Sequence, residues 1–475
     1  TKKGEEKMVI IKKYFSIISG ILFTAVIMLS AFSLMPAISS ELNSHTSGII
    51  LTIMLVAVSF LLSAVSCKSE KLSERLIGSD SEKADRIFCI LASGLLVMQI
   101  LFAFCQDFTP KNDLSYVCKG AENLVTGRPL YEDIPDIHKH YFAVYPNNHA
   151  LFAVIYGLYK VEYFFTGNVT NTLPTILNII SLNISYILMY ITAKLIYTPH
   201  KAFVCAVRGL MFTPLITYSA FFYTDSMAMP YITGALYLYM KWRTSGKIHY
   251  MIPCGMVLAV AYKLKGSTAL LIPAVIIDII FIYRQKRKFI HFGLLMTMFA
   301  VFCIIISGVS ASIIGVTEYE MERYRFPLIH WIMMSADGRG GYCADDFFYT
   351  LSFNGYDRKV TADTERLISK LSGAGMSGFS GHLIHKISYT WRDGTYMAGY
   401  YNSYSFLKSY CFYIFTGICH FTMLSGKARR CISEKNPSDY EFILKIMFAG
   451  LFAFLMIWET RCRYLVSFFA LFALI

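Results

Sequence analysis

The sequence reads as an all-α protein, a polytopic transmembrane helix bundle with amphipathic surface helices in its outer loops. Three observations lead there. Of 475 residues, 55% are hydrophobic and only 16% are charged, a composition that disfavours a water-soluble globule. Apolar stretches of about 20 residues, the length that crosses roughly 30 Å of hydrocarbon, recur from end to end. Basic residues fall in short runs between those stretches, the pattern that orients helices in a bilayer.

In chain order the expected spans are approximately 14–36, 48–67, 87–105, 149–166, 172–197, 202–221, 226–242, 248–265, 267–283, 290–315, 405–424, 441–458 and 464–475, about 12 to 13 in all. The first is too long for a cleaved signal peptide and lacks a small-residue cleavage site. Thr1 is not an initiator and the last span is short, so both ends read as cut. The chain divides into an N-terminal hairpin plus third span (1–105), a first outer loop (106–148), a helical block (149–315), a large outer loop (316–404) and C-terminal spans (405–475).

A net charge of +13 invites a nucleic-acid reading, but the cations are not on one soluble face. They form runs that mark the cytoplasmic side: Lys2, Lys3, Lys7, Lys12 and Lys13; Lys68, Lys71 and Arg75; Lys241, Arg243 and Lys247; Arg284, Lys286, Arg287 and Lys288; Lys427, Arg429 and Arg430. Segment 106–148 carries six acids against four bases and belongs outside, as does 316–404. Alternation fails once. Three apolar stretches separate loop 106–148 from the Tyr223/Asp225 turn, an odd number between two outer positions, so either 149–166 or 202–221 is shallow, re-entrant or fused to its neighbour.

The 12 cysteines lack metal-ligand spacing and mostly fall in apolar spans, where a thiol behaves as a small hydrophobe. Cys118 and Cys343, in the two outer loops, could pair. No phosphate-binding Gly-rich loop, dinucleotide fingerprint or zinc helix occurs, and no cofactor or metal is expected.

In the first outer loop, Leu114, Val117, Cys118, Ala121, Leu124 and Val125 recur at helical spacing, which predicts an amphipathic surface helix. Gly127 ends it and Pro129 bars its continuation. Asp113 opens this helix and Asp107 lies at the membrane boundary. Asp113 is either a helix-terminal acid favoured by the dipole or a general base for an acceptor hydroxyl. Tyr145-Pro-Asn147-Asn148 leads into the next apolar stretch. Its two asparagines either cap that helix or bind a sugar, because burying them unsatisfied is costly. His138 and His140 read as solvated loop residues.

Asp113 with its helix, Gly127-Arg-Pro-Leu-Tyr131 and Tyr145-Pro-Asn-Asn148 together resemble the first outer loop of bacterial membrane glycosyltransferases of the C superfamily, similar to protein mannosyltransferases. Phe222-Tyr-Thr-Asp-Ser226, Lys263-Leu-Lys-Gly266 and Trp458-Glu-Thr-Arg-Cys-Arg-Tyr464 resemble that group's later outer turns, in the same order. The chain departs from the mannosyltransferases in two extra spans ahead of the loop and in lacking an adjacent Asp-Glu pair. The resemblance implies a sugar donor on a polyprenyl phosphate, an inverting transfer and a catalytic acid in the first outer loop, Asp113, with Asp107 the fallback.

A lipid-phosphate donor needs cations at the membrane surface. Arg461 and Arg463 are the phosphate candidates, with a purely structural Glu459 ion pair as the alternative. Lys263 and Lys265 occupy an outer turn that ought to be poor in cations, so they bind phosphate, pair with an acid or snorkel. Asp225 caps its helix or orients a site residue. Loop 316–404 is too long for a connector. It is expected to be a lid that brings His330 and Trp331 to the site, with a mobile turn at Gly338, Gly340 and Gly341, a surface helix from about Ala362 and a second amphipathic stretch from His382 to Trp391. The expected function is sugar transfer from the lipid donor to a glycan, lipid or protein acceptor on the extracytoplasmic face of the cell membrane. The rivals are a transporter or lipid-linked glycan flippase, and a surface-polysaccharide polymerase or ligase.

Overall fold

The computed structural model describes residues 2–41, 45–280, 288–336, 338, 340–392, 394–433 and 438–475. The described residues are helical and contain no strand. The long helices are α1 (Lys2–Glu41), α2 (His45–Ile77), α3 (Ser81–Phe104), α4 (Asp113–Val125), α5 (His149–Thr166), α6 (Thr172–Ile196), α7 (Pro199–Leu210), α8 (Met229–Ser245), α9 (Met251–Leu264), α10 (Leu271–Asp278), α11 (Lys288–Ile314), α12 (Tyr356–Trp391), α13 (Tyr410–Ser433) and α14 (Asp439–Ile457). A short apolar helix, Phe469–Leu474, follows. Stretches within α1, α3, α6, α11 and α14 are long and apolar enough to cross a bilayer. Ile290, Val301, Ile304, Ile305 and Val309 of α11 and Ile90, Val97, Met98 and Leu101 of α3 are exposed. A water-soluble monomer does not present apolar area on that scale, so these faces meet lipid.

Ion pairs define one end of the bundle. Lys194, at the end of α6, lies 2.7 Å from Asp85 near the start of α3, Lys12 of α1 pairs with Asp439 of α14, and the Ser73 hydroxyl of α2 donates to the His200 carbonyl of α7 at 3.2 Å. This is the end rich in basic runs. Arg284, Lys286 and Arg287 lie outside the described residues.

The same contacts resolve the failed alternation. Because α3 runs from that end toward loop 106–148, and α6 finishes at that end, Thr172 must start α6 at the loop end. Helix α5 therefore begins and ends on the loop side and does not cross, contrary to the expected span at 149–166. It packs along α4, with Phe152 against Phe142 at 4.7 Å and Tyr159 donating to Asn171 at 2.8 Å. Lys160 and Glu162 near its end suit a headgroup-level position, and Glu162 accepts from the Thr170 amide at 3.0 Å.

Stretch 202–221 does cross, as a broken element. Helix α7 has 12 residues, only about 18 Å of rise. The irregular backbone that completes the passage is satisfied by buried amides: Gln99 donates to Leu215 O at 2.6 Å, and Asn178 donates to Tyr218 O at 2.6 Å and Ser219 O at 3.1 Å. Non-helical backbone at membrane depth requires such partners.

Loop 316–404 folds on its own polar core. His330 is fully buried, 2.7 Å from the Thr350 hydroxyl, which donates to Asp363 at 2.6 Å. Asp346 holds Arg366 at 2.8 Å and Lys370 at 2.6 Å. The expected surface helix and amphipathic stretch are the two helical segments of α12, separated by the non-helical Gly375 (φ 62°, ψ 179°).

Candidate active site

Five chain segments meet at the loop end: the start of α4, residues 141–148, the turn before α8, the turn at Lys265 and the turn at Glu459–Tyr464. Helix α4 is placed by its buried face of Leu114, Val117, Cys118 and Ala121. It closes with a left-handed Gly127 at φ 74°, where the Arg128 amide donates to Asn123 O at 2.7 Å and the Gly127 amide to Leu124 O at 3.3 Å, the paired bonds of a Schellman ending. Asp113 stands at the other end. The residue before it makes no side-chain cap, and the Asp113 carboxylate accepts from the Tyr141 hydroxyl at 3.1 Å. That hydroxyl accepts from the Asn148 amide at 2.5 Å, whose oxygen accepts from Tyr223 at 3.3 Å. Burial, reinforced by the Asp113 charge, holds the Tyr141 phenol well above its ordinary pKa, so it stays a neutral donor.

Arg463 is the hub. Its guanidinium lies 3.9 Å from Asp113 and 3.8 Å from Asp225, too long for hydrogen bonds, and its Nε has no hydrogen-bond partner. The rings of Tyr223, Tyr464 and Tyr401 surround it at 4.8, 5.6 and 5.7 Å. Asp225 is fully buried and also pairs with Lys265 at 2.6 Å, while the Lys265 ammonium sits 3.9 Å over the Tyr464 ring. Burial lowers the Lys265 pKa and Asp225 opposes that shift. Arg461 Nε donates to Glu459 at 3.1 Å, and Tyr464 donates to the other Glu459 oxygen. Helix capping does not explain Asp225 or Asn148, whose helices show no side-chain cap, and Lys265 pairs with an acid instead of snorkelling.

Several expected residues lie elsewhere. Asp107 is exposed, and its backbone carbonyl, not its carboxylate, accepts from Ser403 at 2.5 Å. Lys263 forms no ion pair among the described residues; its ammonium lies 5.9 Å from the Tyr262 ring. Asn147 is exposed. His330 belongs to the polar core of loop 316–404, and burial depresses its imidazole to about 3, so it is neutral and does not enter the cluster. Trp331 reaches the rim: its ring lies 5.9 Å from Tyr145, which lies 5.0 Å from Tyr141, and its carbonyl accepts from the Glu459 amide at 3.2 Å. The glycine turn is clamped, because the Thr460 amide donates to Gly340 O at 2.8 Å; Arg339 lies outside the described residues. Cys118 and Cys343 are both free thiols.

Tyr141, Tyr401 and Lys386 were not legible as site residues. Nothing in the local sequence distinguishes a loop tyrosine that ends beneath a carboxylate. Among the described residues no group of three His, Cys, Asp or Glu side chains is placed to hold a metal; each acid of the cluster faces a cation.

A family model described as "Conserved hypothetical integral membrane protein" matches residues 6–410. The chain belongs to that family. The match takes in Asp113, Asp225 and Lys265 and ends ahead of the Glu459–Tyr464 turn, and the family's integral-membrane character agrees with the lipid-facing helices. No curated protein and no solved structure matches the chain.

Proposed function

We propose that this integral membrane protein is a glycosyltransferase that moves a sugar from a polyprenyl-phosphate donor to an acceptor hydroxyl at the outer face. The observation that carries the reading is the 3.9 Å approach of Arg463 to Asp113 across 350 residues of chain. It sets a carboxylate beside a guanidinium with unused donors at the end of a lipid-embedded bundle. In this reading Asp113 takes the acceptor hydroxyl proton as the new bond forms at the anomeric carbon. The bond from that carbon to the phosphate oxygen breaks, and its electron pair leaves with the lipid phosphate, which Arg463, Arg461 and Lys265 hold. Asp225 orients Lys265 and Arg463. An open depression of about 540 Å³ beside α4, lined by Tyr116, Lys119, Glu122, Ile134, Val169 and Asn171, offers an approach for the acceptor, since Tyr116 also packs on Tyr141 at 5.1 Å.

The flippase or transporter alternative draws on a second buried ion pair, Arg243 with Asp278 at 2.9 Å, near the opposite end. Intramembrane charge pairs serve such pathways, but this one is closed off by Tyr239, which donates to Asp278 at 2.5 Å. Purified protein incubated with a panel of polyprenyl-phosphate-linked sugars is expected to release polyprenyl phosphate and glycosylate an added acceptor. Movement of donor across a vesicle membrane without turnover would favour the flippase.

A further inference from the structure

One buried cation in this region has no hydrogen-bond or ion-pair partner among the described residues. Lys386, near the end of α12, is fully buried, and its ammonium forms no hydrogen bond and no ion pair among the described residues. Its stem passes directly under the clamped turn: a Cβ built on Gly340 would lie 2.7 Å from Lys386 Cδ and 2.8 Å from Cγ. One helical turn on, the Thr390 hydroxyl meets that of Thr460 at 2.8 Å, so the part of α12 that carries Lys386 touches both the Gly340 turn and the Glu459–Tyr464 turn. The acid that acts on it is Glu459, whose oxygens already bond Arg461 and Tyr464. Burial pushes the ammonium down to about 8, with Glu459 pulling it back up. Lys265, Lys386, Arg461 and Arg463 stand against Asp113, Asp225 and Glu459, which leaves one positive charge uncompensated. An unpaired buried charge is unfavourable, and an anion bound at the site would relieve it.

We propose that Lys386 is a further anion-binding residue of this site, contacting a phosphoryl oxygen of the lipid-phosphate donor from the side of loop 316–404. The proposal rests on the donor reading above and extends it. The donor phosphate carries one negative charge while esterified to the sugar and gains a second on leaving. Lys386 is the cation of the cluster without a carboxylate partner among the described residues, so it answers that added charge. It also ties loop 316–404 to the bound donor.

The test is binding of polyprenyl phosphate, with uncharged polyprenol as the control, to the full chain in detergent, comparing wild type with Lys386→Met and Lys386→Arg. Wild type is expected to prefer the phosphate over polyprenol. Lys386→Met should weaken the phosphate by about tenfold or more, the worth of a charge-assisted bond, without changing polyprenol, and Lys386→Arg should retain most of the affinity. Wild-type affinity should also fall as the pH rises through about 8, where the free ammonium loses its proton, and Lys386→Met should lack that fall. If Lys386→Met does not fold, the arginine variant and the wild-type pH profile decide. Equal phosphate binding and an equal pH profile in Lys386→Met would overturn the role of Lys386 while leaving the donor reading intact. A wild type that does not distinguish phosphate from polyprenol would sink both. Displacement by equimolar inorganic phosphate would overturn the lipid assignment.

Discussion

Arg463 sits between two carboxylates of unequal burial, and the inequality separates their work. The Asp225 side chain is fully enclosed and holds Lys265 as well, whereas that of Asp113 is 33% exposed. Replacing Asp225 with Asn strands two buried cations, so the variant is expected to lose about 3–5 kcal/mol of stability, read as a lowered thermal midpoint in detergent. Asp113→Asn, at the open side and 3.9 Å from Arg463, should lower that midpoint by less, because Arg463 keeps Asp225 as a counter-charge. Asp113, Asp225, Lys265, Arg461 and Arg463 were legible because charges at the ends of apolar spans stand out against their surroundings. Lys386 was not, because a lysine in a long polar loop offers no such contrast; its stem lies under Gly340, distant in sequence. His330 failed for the converse reason. It was an expected site residue, but its partners Thr350 and Asp363 enclose it within the loop.

Among the structural elements, the turn at Gly340 and helix α5 departed most from expectation. A run of glycines suggests mobility, yet Gly340 has φ 71° and leaves no room for a Cβ over Lys386. The glycine is there for close approach as well as for its left-handed backbone. Gly340→Ala is expected to cost about 1–3 kcal/mol through backbone strain and to displace the Lys386 stem, so donor binding should weaken along with the thermal midpoint. Wild-type values for both would show that the turn does not clamp the site. Helix α4 was legible down to its Gly127 ending, because spacing and the terminating glycine agree. Helix α5 was one of the two stretches, 149–166 and 202–221, of which one had to be shallow, re-entrant or fused, and its sequence did not decide which; it is not among the helices long and apolar enough to cross. It packs along both α4 and α11, and periodicity does not encode which neighbour a helix finds.

For the whole molecule, the polar loops and the charged turns at Asp225, Lys265 and Glu459–Tyr464 share one end of a lipid-embedded bundle, while Lys12, Asp85, Lys194 and Asp439 gather at the other. The bundle itself was readable from apolar length and the basic runs. Its parity was not, since two stretches met the length criterion equally well and only the Lys194–Asp85 pair decides between them. A cysteine placed at Asn168, beyond α5, should therefore label with an impermeant maleimide from the same side as one at Thr109, above the native-thiol background, and from the opposite side to one at Lys247. Labelling of Asn168→Cys with Lys247→Cys would restore α5 as a crossing helix and break the arrangement. The convergence of that loop end into a site for a lipid-phosphate sugar is tested most directly by steady-state turnover of a polyprenyl-phosphate-linked sugar by wild type and Asp113→Asn, with donor affinity measured on the same preparations. The expected result is turnover by the wild type and a fall of about 10²–10⁴-fold in the variant at nearly unchanged donor affinity. Undiminished turnover in Asp113→Asn, or no turnover of any such donor by the wild type, would contradict it.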